Sequence, residues 1–112
     1  MDGVNKVILI GRLGQDPEIK NVNGTKVANF SIATTESYKD RQTGHKVENT
    51  EWHNIVIWGG LADVVESYVH KGDQLYLEGK LMTRKWEKEG ITYSRTEIVC
   101  NQMQMLGSKD KS

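Results

Sequence analysis

The chain has 112 residues, of which 37% are hydrophobic and 27% charged, with 15 basic against 15 acidic side chains and no formal net charge. That length holds one ordinary domain around a single core and leaves no room for a second. No apolar run approaches a membrane span, and the charge balance excludes binding of polyanions through bulk charge, so affinity for an anion would have to rest on local clusters.

No apolar leader precedes Val4, so nothing points to secretion, and a cytoplasmic setting is expected. The single cysteine, Cys100, cannot form an internal disulfide. It lies in the strand-like run Glu97-Ile98-Val99-Cys100 and reads as a small buried thiol.

In chain order, Val4-Asn5-Lys6 leads into four apolar residues, Val7-Ile8-Leu9-Ile10. Alternate residues of a strand face opposite ways, so a small barrel has an interior for only one of the pairs Val7 with Leu9 and Ile8 with Ile10. The other pair needs a cover, and self-pairing of this strand across a two-fold would supply one. Gly11, Gly14 and Pro17 are expected to break the strand into a bend, and Asn23-Gly24 to make a hairpin turn. From Lys26 to Thr35, Ala28, Phe30 and Ile32 alternate with Asn29, Ser31 and Ala33, the period of a half-buried strand. The pattern disappears between Glu36 and Thr50, a polar excursion that reads as a long, mobile hairpin arm. It offers Tyr38, Lys39, Arg41 and Lys46 to a ligand or, equally, to water.

The run Glu51 to Gly60 is a strand with two unlike faces. Ile55 and Ile57 read as core, whereas Trp52, Asn54, Val56 and Trp58 share the other parity. Two indoles beside an amide make either a binding platform or, equally, core or subunit interface. A short helix follows between Gly60 and Gly72. Leu61, Val64, Val65 and Tyr68 fall at helical spacing, Asp63 in the first turn, His70 and Lys71 in the last, and Gly72 just past the end. Strand character returns from Gln74 to Trp86, with Leu75, Leu77 and Leu81 on one parity. Tyr76, Glu78, Lys80, Met82, Arg84 and Trp86 occupy the other. Glu87-Lys88-Glu89-Gly90 makes a turn, Ile91 to Cys100 returns with Tyr93 and Arg95 on one face, and Met103-Gln104-Met105-Leu106 forms a final apolar piece. Residues 107–112 are polar and are expected to be disordered.

The fold class is therefore all-β with one short helix: three strands, a helix, then two strands. The size and order suit the five-stranded OB-fold barrel, here with a long protruding hairpin arm. That fold carries many ligands, so architecture alone does not give function. The residues Gly3 to Leu9, Gly11 to Glu18, Thr50 to His53, Glu78 to Leu81, Thr83 to Trp86 and Met103 to Leu106 closely resemble the bacterial single-stranded DNA-binding protein family. Those six blocks stand in the family's order across most of the chain.

The resemblance implies sequence-independent binding of single-stranded DNA in replication, recombination and repair. It also implies a cytoplasmic, nucleoid-associated homotetramer built as a dimer of dimers. Base stacking would fall to the matching rings Tyr38, Trp52, Trp58 and Trp86, and phosphate contacts to Lys6, Arg12, Lys39, Lys80, Arg84 and Lys85. Val7, Ile8, Leu9, Ile10 and His53 are the expected subunit interface. Full-length members continue into a flexible tail with an acidic Pro-Phe tip that recruits genome-maintenance proteins. The sequence to Ser112 lacks that tip, which leaves such partners open. No cofactor is expected, nor a metal, because His45, His53, His70 and Cys100 are dispersed, and an enzyme is not expected for the same reason. A replication-restart accessory barrel and an RNA- or oligosaccharide-binding barrel are the rival readings.

Overall fold

The computed structural model describes residues 2–107, so the polar end from residue 108 onward lies outside the described residues. Among the described residues, six strands and one helix run in the order β1 (Val7–Leu13), β2 (Glu18–Val22), β3 (Thr25–Lys39), β4 (Lys46–Trp58), α1 (Gly60–Tyr68), β5 (Gln74–Lys88) and β6 (Ile91–Gly107). Five of the strands close a ring. β1 pairs with β5, β5 with β6, β6 with β4, β4 with β3, and β3 returns to β1. Every contact in the ring is antiparallel except that of β4 with β6, where Ile55 faces Ile98 and Val56 faces Val99 in parallel. This is the expected OB-fold barrel, with β2 added outside β3.

Local chemistry accounts for most of these elements. Asn23 and Gly24, at φ 51° and 82°, form the two-residue turn that sets Val22 opposite Thr25. Gly11 was expected to break β1 but lies inside it, and the bend comes later, between Leu13 and Glu18. The side-chain amide of Asn5 both donates to the Leu81 carbonyl and accepts the Leu81 N–H, at 2.9 and 2.8 Å. It thereby extends the β1–β5 ladder toward the N-terminus.

The ring encloses one core, in which Ile32, Ile55, Ile57, Leu75 and Leu77 are fully buried together with Val65 of α1. On β1 the parity question resolves as Val7 and Leu9 inward, with Ile8 and Ile10 about half exposed. The helix is shorter than expected. Val69 turns extended (φ −102°, ψ 130°) to bury itself, so His70 and Lys71 lie outside the last turn. Val64 and Tyr68 share the helical spacing, yet Ala62 and Val65 are the helix residues buried in the core, with Leu61 partly buried against it, and Tyr68 remains exposed.

Two hairpins leave the barrel. β3 and β4 stay paired out to Lys39 opposite Lys46, so the segment read as a mobile, polar arm without a hydrophobic period is a ladder almost to its tip. Its turn is held by Asp40, whose carboxylate accepts the N–H groups of Gln42 and Thr43 at 2.8 and 3.3 Å. Beyond Glu36, where both faces meet water, no hydrophobic period is needed to specify the strand. The β5–β6 hairpin leaves the barrel at an irregularity beside Gly79 and runs to Lys88 opposite Ile91. Leu81 was expected inward with Leu75 and Leu77 but lies past that point and is half exposed. The apolar piece Met103 to Leu106 is not a separate element; it continues β6 against β5.

Candidate nucleic-acid interface

The outward parity of β4 carries Trp52, Asn54, Val56 and Trp58, and these side chains line an open groove of about 1220 Å³. Val27, Asn29 and Ser31 of β3 lie opposite them in register and line the same groove. Val27 and Val56 are buried, whereas Trp52 and Trp58 expose 55% and 46% of their surface at the two ends of the row. Six residue steps along the strand set the indoles about 20 Å apart. Ser31 Oγ donates to Asn54 Oδ1 at 3.3 Å and fixes the amide between them. Trp52 is set by Gly14, over which its ring lies so closely that a Cβ there would meet the indole at 2.7 Å. This arrangement gives two exposed π-faces joined by an amide-bearing, partly apolar floor.

The β5–β6 hairpin forms a wall. Trp86 and Tyr93 are cross-strand neighbours with stacked rings, centroids 5.7 Å apart and planes 17° from parallel. Arg84 Cζ lies 5.1 Å from the centre of the Trp86 ring, a cation–π contact. Arg84 and Arg95 both approach Glu97, at 3.6 and 3.9 Å. Tyr93, Arg95 and Glu97 were not among the predicted site residues. Tyr93 and Arg95 were placed on one face, and the missing signal was the register that sets that face against Arg84 and Trp86. The groove carries Lys20, Arg84, Lys85 and Arg95 against Asp16, Glu18 and Glu97, only slightly more positive than negative.

The predicted residues are not all brought together. Trp52, Trp58, Arg84 and Lys85 line the groove, and Trp86 stands on its hairpin wall on the parity of Arg84. Lys85 pairs with Ser94 and belongs to the other parity of the ladder, so adjacency in sequence separates it from Arg84 by face. Tyr38 is 54% exposed near the tip of the β3–β4 hairpin, opposite Val47, on the parity that continues from Phe30 and Ile32. Lys39 is also near that tip. Lys80 stands exposed at the base of the β5–β6 hairpin. Arg12 donates to the Gly72 carbonyl at 3.0 Å and fastens β1 to the loop after the helix.

Lys6 lies away from the groove, paired with Glu78 at 3.3 Å. Glu78 also accepts the Tyr76 hydroxyl, and that bond, ahead of the one from Lys6, holds its carboxyl below the usual range. Ile8 and Ile10 oppose Glu78 and Tyr76 on this outer face of β1 and β5. His53 bonds Thr34 at 2.9 Å, half buried on the core parity of β4. Burial pushes the Cys100 thiol up, which fits the structural role expected for it.

Residues 4–106 match the sequence model of the Single-strand binding protein family. Among solved structures, the chain is similar to a Plasmodium falciparum SSB in complex with ssDNA. The two are 38% identical, with a TM-score of 0.84, over 95% of this chain and 97% of that one. It is also similar to a deletion variant of the single-stranded DNA binding protein from Thermus aquaticus, at 27% identity and a TM-score of 0.80 over 93% of this chain. This chain spans about half, 51%, of that Thermus chain. With a family match running the length of the barrel and the same barrel recurring in both structures, the chain belongs to the single-strand binding protein family.

Proposed function

We propose that this protein binds single-stranded DNA without sequence preference. Bases stack on exposed rings, and the phosphates are tracked by arginine and lysine. The observation that carries this reading is the row on β4, where two half-exposed indoles stand at the ends of a groove floored by Asn29, Ser31, Asn54 and Val56. Every base has a π-face, so such rings give affinity with little preference, and a duplex, whose bases are stacked on one another, cannot use them. Family membership and the relative solved with ssDNA support the same ligand.

Within this reading Trp52, Trp58 and Trp86 stack on bases, and Tyr38 meets a strand that wraps the β3–β4 hairpin, whose two-stranded twist carries its faces round. Arg84 and Lys85 are the cations nearest the path. Lys39 and Lys80 extend it along the hairpins, while Lys6 and Arg12, each already engaged, contribute less. The chain works by binding rather than catalysis, in the cytoplasm, protecting single strands exposed in replication, recombination and repair. Ile8 and Ile10 join subunits into a dimer, and two dimers make a tetramer. Titrating tryptophan fluorescence with single-stranded DNA, duplex DNA and RNA of equal length tests the ligand. Strong quenching is expected with single-stranded DNA and little with duplex. Equal or stronger quenching by RNA would favour an RNA-binding barrel instead.

A further inference from the structure

Arg84 and Arg95 stand directly opposite each other on the β5–β6 hairpin. Like charges so placed destabilise a ladder unless an anion lies between them. Glu97 supplies it from the neighbouring position on the same face, where its side chain is 13% exposed. Its Oε2 lies 3.6 Å from Arg84 Nη2 and 3.9 Å from Arg95 Nε. Both distances are those of ion pairs and too long for hydrogen bonds. The carboxylate therefore balances charge without consuming the guanidinium donors. Two cations and one anion leave the cluster one negative charge short of neutral. On its other side, roughly 7 Å along the ladder, lie the stacked rings of Trp86 and Tyr93, with Arg84 Cζ over the indole.

We propose that Arg84 and Arg95 together hold one phosphate, with Glu97 as their positioning residue, and that Tyr93 extends Trp86 as the platform for the base attached to that phosphate. Arginine forks match phosphate oxygens, and a phosphodiester brings the single charge that the cluster lacks. The site is one nucleotide in size, built half on β5 and half on β6. It rests on the proposed binding of single strands.

The charge count gives the test. In the full chain, the logarithm of affinity for an oligothymidylate is followed against the logarithm of salt, where each phosphate neutralised on a single strand contributes a slope of roughly −0.7. Arg95→Gln or Arg84→Gln leaves one cation already balanced by Glu97, so each single variant loses one such increment and the double variant loses no more. Arg95→Gln with Glu97→Gln frees Arg84 and regains it, a rescue that damage to the fold would not give. Tyr93→Phe binds as the parent does, while Tyr93→Leu loses about five-fold or more in affinity. A parental slope for Arg95→Gln, additive losses in the double variant, no rescue by Glu97→Gln, or parental affinity for Tyr93→Leu overturns the proposal. A parent that binds no single strand overturns the reading beneath it as well.

Discussion

Trp52 owes its exposed position to a residue with no side chain. Its indole lies across Gly14, in the bend between β1 and β2, and a methyl group there would stand 2.7 Å from the ring. Gly14→Ala should therefore tilt the indole off the groove while leaving the buried core untouched. The expected result is weaker binding of single strands with little change in melting temperature. Trp52→Ala, which removes the ring altogether, should cost about 1–3 kcal/mol of binding free energy. Affinities of the two variants for one oligonucleotide, read beside their melting curves, check both. If Gly14→Ala binds like the parent, the glycine does not position the ring. The indoles themselves were legible, because strand parity alone separates Trp52 and Trp58 from Ile55 and Ile57. Gly14 was not, since its contact joins residues far apart in sequence. Arg84-Lys85-Trp86 was legible only in part: a strand alternates, so Arg95 across the ladder shares the face of Arg84 while Lys85 takes the other parity, although both line the groove.

Among the elements, α1 shows how little of a docking contact local pattern reveals. The helix buries only Ala62 and Val65, and it is fastened from outside by Lys26 of β3, whose ammonium reaches Asp63 at 2.7 Å and Glu66 at 2.5 Å. The hydrogen bond to Asp63, then that to Glu66, pushes the lysine up to about 12 from its ordinary 10.5. A folded value above the unfolded one means that the contribution is complete below 10.5 and is lost as pH rises through about 12. Melting temperatures of the parent and of Lys26→Met should therefore differ by a constant amount from neutral pH to near 10.5, then converge at higher pH. A difference that fades already near neutrality would remove Lys26 from this role. The hairpins teach the complementary lesson. The β3–β4 ladder continues where the hydrophobic period stops, because a ribbon wet on both faces is specified by its turn at Asp40 and by backbone pairing, which composition does not report.

At the scale of the whole molecule, the barrel is closed by a parallel contact in which Ile55 faces Ile98 and Val56 faces Val99, a junction that no local pattern announces. The fold was legible through the order of the elements and the family's motifs; the closure itself was not. What parity did announce is that β1 has apolar residues on both faces, and the barrel takes in Val7 and Leu9 while leaving Ile8 and Ile10 at 56% and 52% exposure. These isoleucines lie opposite Tyr76 and Glu78 on an outer face of β1 and β5, and β1 meets β3 only at Arg12 and Leu13, so that among the described residues its edge over 7–11 has no second strand beside it. A second copy across a two-fold would bury the isoleucines and extend the sheet at once. Joining such dimers would give one strand several grooves to occupy, and affinity would then rise through effective concentration rather than through new contacts. Light scattering at micromolar concentration should then report about four times the monomer mass of 12.7 kDa. The inward and outward pairs now separate two outcomes. Glutamate at both Ile8 and Ile10 should lower the mass while circular dichroism keeps the folded spectrum, whereas glutamate at both Val7 and Leu9 places charge against the core and should unfold the chain. A parent that scatters as a monomer, or an Ile8→Glu, Ile10→Glu variant that keeps the parent's mass, would put the subunit contact elsewhere or nowhere.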